Sequence, residues 1–333
     1  MNQTNYFFKV IDLNSQAVIS SNFETQLFSN LAPLTIGGFD SLFDSDDLET
    51  SSGFNWLGTD EELDSLFDSD DLETSSGFNF LGTDEELDSL LWFNNFSDPN
   101  WREDWQVLDS RQWGQENLEL INDSLTGDFF NTYLRTYYPA GSVSPSYSRK
   151  TGAPIGGAQF LADLGIPPAE ELKLSYYLRF SDNFDFVKGG KLPGLYGGTG
   201  NTGGNIPDGT DGFSTRFMWR QNGDGEVYAY LPTSAKFGTS LGRGDWQFVP
   251  GVWHHLEQEV ILNEVGENNG SIKVFLDGVE VSHFSGLNFR SVDSLKIDGI
   301  LFSTFFGGSN STWATPNDVH IDFANFSVWE LDN

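Results

Sequence analysis

The sequence predicts an all-β fold, a jelly-roll β-sandwich of the concanavalin-like class, over most of its length. Aromatic residues make up 15% of the 333 residues, and 36 residues are glycine. Aromatic and β-branched residues between glycine-rich turns favour strands. After Trp101, segments with strand patterns follow one another, and long helical periodicity is absent. Many short antiparallel strands in one chain are typical of a jelly roll, where a polymer can lie across one sheet.

Four segments carry this prediction. Residues 172–180 alternate between apolar and other side chains, which predicts a strand with one buried face. Residues 273–282 predict a hairpin, because the pair Asp277-Gly suits a type I′ turn. Residues 300–306 and 320–329 are rich in aromatic and branched side chains and predict central strands.

Residues 1–97 differ in composition from the rest and predict a separate, flexible acidic region. They contain a tandem 24-residue repeat at 40–63 and 64–87, whose two copies differ at a single position. Acidic runs of this kind favour a solvated linker, with weak calcium binding or partner docking as alternatives. The repeat lacks the glycine and glutamate spacing of an EF-hand loop. We therefore expect the folded domain to span 98–333.

The overall charge excludes several classes of function. The formal net charge is −32, which argues against non-specific binding to nucleic acid or to an anionic membrane surface.

The chain has no cysteine, so thiol catalysis, thiolate metal sites and disulfides are excluded. No apolar run is long enough for a membrane-spanning helix, and the N-terminus lacks the pattern of a Sec-type signal peptide. The four histidines show no metal-ligand spacing, and we expect no cofactor.

The candidate site begins in a glycine-rich stretch that holds two lysines. Lys188 and Lys191 lie in the run Lys-Gly-Gly-Lys-Leu-Pro-Gly, where glycine permits unusual backbone angles and proline stiffens the chain. We expect a built loop or a bulged strand here. Residues 213–220 then predict a strand, and 226–231 predict the return strand after a short turn.

Strand alternation puts polar side chains on one face of this predicted hairpin. A symmetric turn sets Arg216 opposite Tyr230 and Arg220 opposite Glu226. The expected patch consists of Ser214, Arg216, Tyr228 and Tyr230.

A patch of cations and phenols suits β-elimination from a 4-linked uronic-acid polymer. The reaction needs a cation to neutralise the carboxylate, a base for the C5 proton and an acid for the leaving O4. Lys or Arg can supply the cation. Tyr becomes a usable base or acid when neighbouring cations lower its pKa. The sequence thus predicts a site that needs no metal.

The same motifs resemble polysaccharide lyase family 14 over roughly 101–333. The matching segments are the Lys-Gly-Gly-Lys-Leu-Pro-Gly run, Ser214-x-Arg216, Tyr228-x-Tyr230 and the aromatic stretch 302–308. The resemblance implies a jelly-roll lyase that cleaves alginate, or next glucuronan, to give 4,5-unsaturated ends.

The resemblance also implies roles for individual residues. It makes Lys191 essential, places Ser214 and Arg216 in the catalytic set, and gives Tyr228 and Tyr230 the acid/base work. Some family members have a histidine before the Ser-x-Arg strand, and the corresponding region here holds none. This departure leaves the preferred uronate polymer open.

We expect further side chains to bind the anionic polysaccharide, namely Lys188, Tyr196, Trp219 and Lys236. The protein is expected to act as a monomer. A bulky polysaccharide substrate predicts an extracellular or cell-surface location, with the cytoplasm as the alternative because no Sec-type signal is seen.

Two other functions fit parts of the sequence. A non-catalytic carbohydrate-binding module could stack sugars on Tyr196, Trp219 and Trp246, although pure binding does not require paired phenols. A jelly-roll glycoside hydrolase would need two carboxylates at a fixed separation, for which Glu257 and Glu259 are the best candidates.

Overall fold

The structure is a computed structural model that describes residues 4–12, 17–25, 89–123 and 129–331. The chain divides into two compact units, residues 1–89 with 123–131 and residues 90–122 with 132–333. In the first unit, β1 (Thr4–Asp12) and β2 (Ala17–Thr25) pair antiparallel, which the sequence analysis did not predict. The two repeats lie outside the described residues.

The second unit is built almost entirely from strands. In chain order these are β3 (Leu90–Asn94), β4 (Leu118–Asn122), β5 (Thr132–Tyr138), β6 (Ala158–Ala162), β7 (Glu171–Phe180), β8 (Gly189–Gly198), β9 (Gly212–Arg220), β10 (Gly225–Tyr230), β11 (Thr239–Leu241), β12 (Trp253–Ile261), β13 (Gly270–Leu276), β14 (Val279–Leu287), β15 (Gly299–Phe306) and β16 (Val319–Trp329). The short helices are α1 (Trp101–Asp104) and α2 (Pro145–Thr151), with 3₁₀ turns at Gln115–Asn117, Gln221–Gly223 and Ser311–Trp313. None of the described helices is long and apolar enough to cross a membrane.

Two antiparallel sheets enclose the core. The six-stranded sheet has the order β11-β10-β9-β8-β15-β6. The second sheet has the order β14-β13-β12-β7-β16-β5-β4, and β3 also pairs with β16. The all-β sandwich expected from the sequence is thereby confirmed.

Alternation decides which side chains enter the core. On β7, every second residue from Leu172 to Phe180 is fully buried, as the pattern predicted. Each buried Leu or Phe side chain contributes roughly 1.5–3 kcal/mol. The predicted hairpin is β13–β14, and Asp277 and Gly278 both have positive φ, as a type I′ turn requires.

The sandwich begins earlier than the boundary predicted at residue 98. β3 forms a ladder with β16, and Phe96 is buried against the ring of Trp105 at 5.6 Å between centroids. Residues of the acidic stretch therefore contribute a strand and a core side chain. Their polar, acidic sequence context concealed this.

Candidate active site

One face of the six-stranded sheet turns away from the core, and we call it the site face. On β9 the side chains of Phe213, Thr215, Phe217 and Trp219 point to the core, and those of Ser214, Arg216, Met218 and Arg220 lie on the site face. β10 adds Glu226, Tyr228 and Tyr230 to the same face. The predicted patch of Ser214, Arg216, Tyr228 and Tyr230 is thus brought together.

The register of the β9–β10 hairpin differs from the symmetric prediction. Arg216 lies opposite Tyr228, and Ser214 lies opposite Tyr230. The strands are joined by a tight 3₁₀ turn in which Asn222 has a φ of 64°. Because side chains alternate with period two, this shift by an even number of residues changes the partners and preserves the face.

Lys191 reaches the site face because β8 contains a bulge. The register of β8 against β9 shifts between Leu192 and Gly194, at Pro193. Proline lacks the N–H that a regular ladder would use, and a bulge adds one unpaired residue to the strand. Leu192 and Leu195 consequently both face the core, while Lys191 and Tyr196 both lie on the site face. The bulged strand expected from the motif is present.

The amine of Lys191 lies among cations and an aromatic ring. Its Nζ is 3.7 Å from the centre of the Tyr228 ring and 2.6 Å from Sδ of Met218. Burial, with the positive charges of Arg216 and Arg220, holds the pKa of Lys191 well below its usual value. A neutral amine is therefore accessible at much lower pH than for an ordinary lysine.

Arg216 is a buried cation with unused hydrogen-bonding capacity. Only 2% of the residue is exposed, and its Nη1 donates to Oγ of Ser303 at 3.0 Å. The Ser303 hydroxyl donates onward to Oε1 of Gln159 at 3.0 Å. Nε of Arg216 has no partner among the described residues. Burial lowers the pKa of Arg216 to about 10, so the guanidinium stays charged at neutral pH.

The rings of Tyr228 and Tyr230 are in contact, and Tyr228 keeps its phenolic proton. Their rings meet edge to face with centroids 5.8 Å apart. Burial and the neighbouring Tyr230 raise the pKa of Tyr228 to about 12 in spite of Arg220 and Arg216. The expectation that cations lower this phenol's pKa is therefore wrong for Tyr228, because desolvation is the larger effect.

Two hydrogen bonds fasten neighbouring loops to the site face. The Tyr230 hydroxyl accepts from the backbone N–H of Gly204 at 3.1 Å. The Ser214 hydroxyl donates to the carbonyl of Asn201 at 2.7 Å. Both side chains are buried, so they hold the wall of the site in place.

Glu226 is a site-face carboxylate that the sequence analysis treated only as a partner of Arg220. It is fully buried and accepts from Arg220, from Ser240 and from Nε of Arg243 at 2.9 Å. Glu226 lies opposite Met218 and not opposite Arg220 as the symmetric turn predicted, but the expected ion pair between Arg220 and Glu226 is present. Glu226 thereby holds two further cations close to Lys191.

Two of the predicted substrate-binding residues are buried. The prediction of Trp219 is wrong, because its ring is fully buried between the sheets against Phe180 and Phe306, where no sugar can reach. Tyr196 lies on the site face, but only 3% of it is exposed because it packs with Leu161 and Leu301. Its ring has no open face for stacking.

The two other predicted binding residues lie on the surface. Lys188 is exposed, and its Nζ donates to Oγ1 of Thr312 at 2.6 Å. Lys236 is exposed beside Phe237. Trp246, the third ring of the carbohydrate-binding alternative, is buried in the core.

The carboxylate pair of the hydrolase alternative lies on the other sheet. Glu257 and Glu259 belong to β12, where they lie 3.9 Å from Lys173 and 3.3 Å from Lys273 respectively. They are therefore engaged in ion pairs away from the site face. Within the described ranges, no group of three or more His, Asp or Glu side chains could hold a metal ion.

Comparison with known proteins identifies the family of this chain. The family model of polysaccharide lyase 14 matches residues 127–326. A polysaccharide lyase family 14 alginate lyase from Aplysia kurodai is 30% identical, with a TM-score of 0.62 over 73% of this chain and 100% of that one. No curated protein matches by sequence.

Two more distant structures share the fold. The alginate lyase Aly36B is 23% identical, with a TM-score of 0.57 over 73% of this chain and 96% of its own. The alginate lyase vAL-1 from Chlorella virus is 21% identical, with a TM-score of 0.58 over 72% of this chain and 100% of that one. The family match covers more than half of the chain and includes every predicted catalytic residue. This chain is a lyase that belongs to polysaccharide lyase family 14.

Proposed function

We propose that this enzyme cleaves a 4-linked uronic-acid polymer by β-elimination, with alginate as the first substrate and glucuronan as the next. The observation that carries the proposal is the buried Arg216 cation, with its unpaired Nε, beside the Lys191 amine and the protonated Tyr228. Together they provide the three groups that elimination requires.

Arg216 is proposed to neutralise the uronate carboxylate. A guanidinium binds a carboxylate with parallel N–H donors, and burial strengthens the interaction. Neutralising the carboxylate makes the C5 proton more acidic and stabilises the enolate that forms when that proton is removed.

Lys191 is proposed to take the C5 proton. The family resemblance implied a tyrosine for this work, but the pKa directions favour the amine. A base works best when its pKa lies near the working pH, and the pKa of Lys191 is lowered whereas that of Tyr228 is raised. The amine thus becomes an ammonium during the step.

Tyr228 is proposed to protonate the leaving oxygen. As the C4–O4 bond breaks and a double bond forms between C4 and C5, the phenol gives its proton to O4. Tyr228 is partly exposed and makes no hydrogen bond through its hydroxyl within the described residues, whereas the Tyr230 hydroxyl is engaged with Gly204. Tyr230 supports Tyr228 through the contact of their rings.

Alginate is placed first because the Aplysia relative, at 30% identity, is an alginate lyase. Glucuronan remains next because its uronate has the same reacting carbons. An extracellular location and a monomeric state belong to the same proposal, since a long polysaccharide must reach an open face. Activity confined to cell lysate, or a dimer by light scattering, would contradict those two points.

The test is a panel of polymannuronate, polyguluronate and polyglucuronate, followed by the ultraviolet absorbance of the unsaturated ends. Wild type should give unsaturated product, and Lys191→Ala should not. Lys273→Ala is the matched control, since Lys273 is paired to a glutamate on the other sheet. Binding without unsaturated product would favour a binding module. Loss of reducing-end release in Glu257→Gln, with Lys191→Ala still active, would favour a hydrolase.

A further inference from the structure

Trp113 and Phe305 form an aromatic patch on the site face that no part of the proposed reaction uses. Both rings are partly exposed, and their centroids lie 5.6 Å apart with the planes at 64°. Two buried positions from the sequence analysis, Tyr196 and Trp219, cannot offer an open ring face. This patch can.

The sheet fixes the position of the patch relative to the site. Phe305 on β15 is the direct neighbour of Lys191 on β8, on the side opposite to Met218. Trp113 exchanges backbone hydrogen bonds of 3.0 and 2.9 Å with Gln159, which is the edge of the same sheet. Cross-strand partners share a face, so Trp113 extends the site face beyond β6.

A cation accompanies the rings. Arg149, in the last turn of α2, is exposed, and its guanidinium carbon lies 6.0 Å from the centre of the Trp113 ring. α2 ends at Gly152 in the left-handed conformation, which fixes the helix end where Arg149 sits. An apolar ring surface beside a guanidinium matches the chemistry of a pyranuronate, which has an apolar C–H face and a carboxylate.

We propose that Trp113, Phe305 and Arg149 form a sugar-binding subsite for the uronate unit next to the one that reacts at Lys191. This inference rests on the proposed function and adds the substrate contact that the reaction groups lack. The rings take the C–H face of the sugar, and Arg149 takes its carboxylate. Bound there, the polymer crosses the strands from β6 towards β10, over Lys191.

The test compares Trp113→Ala with Trp253→Ala by steady-state kinetics on the best uronate polymer. Trp253 is a matched control, because it is also partly exposed beside an arginine, Arg179 at 4.6 Å, but lies on the other sheet. Trp113→Ala should raise KM about three- to tenfold, the usual value of an aromatic contact, with little change in kcat. Trp113→Phe should restore most of the loss.

A second pair of variants tests the cation without touching the core. Arg149→Gln should raise KM and weaken the dependence of KM on salt, whereas Lys150→Gln, its exposed neighbour in α2, should do neither. Calorimetry with uronate oligosaccharides measures binding at the same contact without turnover when it is carried out in the Lys191→Ala background.

The outcomes separate the two proposals. If wild type produces unsaturated ends but Trp113→Ala and Arg149→Gln both keep its KM, the subsite is overturned and the lyase reaction stands. A lowered Tm with unchanged KM assigns Trp113 to packing alone and also overturns the subsite. If no uronate polymer gives unsaturated ends with wild type, the proposed function itself fails.

Discussion

The amine nitrogen of Lys191 lies 3.7 Å from the centre of the Tyr228 ring. The base and the acid of the proposed reaction therefore stand side by side on one sheet face. A sugar lying on that face meets both groups from the same side, which has consequences for the chemistry and for the choice of substrate.

Lys191→Arg separates the role of a base from that of a cation. Arginine keeps the positive charge but does not release its proton under working conditions. We expect kcat of Lys191→Arg to fall by at least about 10²-fold, as for Lys191→Ala. Retention of most activity by Lys191→Arg, measured as initial rates of unsaturated product, would assign the residue to charge neutralisation instead.

The two tyrosines should differ when each is changed to Phe. Tyr228→Phe removes the proposed acid, so kcat should fall by about 10²-fold or more with little change in KM. Tyr230→Phe removes a hydroxyl that is bonded to Gly204, and a smaller loss is expected. A larger loss in Tyr230→Phe would transfer the acid role to Tyr230.

The pH profile should report the altered pKa values. Catalysis needs a neutral Lys191, so kcat/KM should rise with pH through the lowered pKa of this amine, below the usual lysine value. It should fall first as pH passes about 10, where the buried Arg216 loses the charge that neutralises the carboxylate, and again near about 12, where Tyr228 loses its proton. Arg220→Gln removes a charge that lowers the pKa of Lys191, so the acid limb should move to higher pH. An unmoved acid limb would show that another group controls it.

Stereochemistry predicts the order of substrates. Mannuronate and glucuronate carry H5 and O4 on the same side of the ring, and guluronate carries them on opposite sides. Adjacent base and acid groups favour removal from one side, so polymannuronate and polyglucuronate should be cleaved faster than polyguluronate. Equal kcat/KM for all three polymers, or a preference for polyguluronate, would contradict the side-by-side assignment.

Ser303 should act by positioning Arg216. Ser303→Ala leaves Nη1 of the buried guanidinium without its acceptor, and kcat/KM should fall about tenfold or more. Ser327→Ala is the control, because this buried serine accepts from a tryptophan, Trp329, on the other sheet. A similar loss of Tm in both variants, with reduced kcat/KM only in Ser303→Ala, would confirm the specific role.

Local patterns predicted much of this structure. Alternation identified β7 and put Ser214, Arg216, Tyr228 and Tyr230 on one face, and a high content of aromatic and branched side chains identified β15 and β16. These predictions succeed because period-two alternation is a property of the strand itself and does not depend on distant residues.

Properties that depend on distant residues were missed. The register of β9 and β10 depends on the geometry of the turn, and the burial of Tyr196 depends on Leu161 and Leu301 from other strands. The raised pKa of Tyr228 follows from burial, which the neighbouring sequence does not encode. Trp219 could have been excluded, since the alternation of 213–220 already put it on the core side.

The bulge at Pro193 sets the phase in which the side chains of β8 alternate between the two faces of the sheet. The alternation of side chains between the two faces is reversed across the bulge. The number of residues in the motif therefore matters as much as their identity. Deleting one residue there would exchange the faces of Lys191 and Leu192 if the rest of β8 stayed in register. An amine would then enter the core and an apolar side chain would take its place on the site face. The motif is therefore constrained in length. A single deletion should lower the stability of the fold more than any single substitution within the motif.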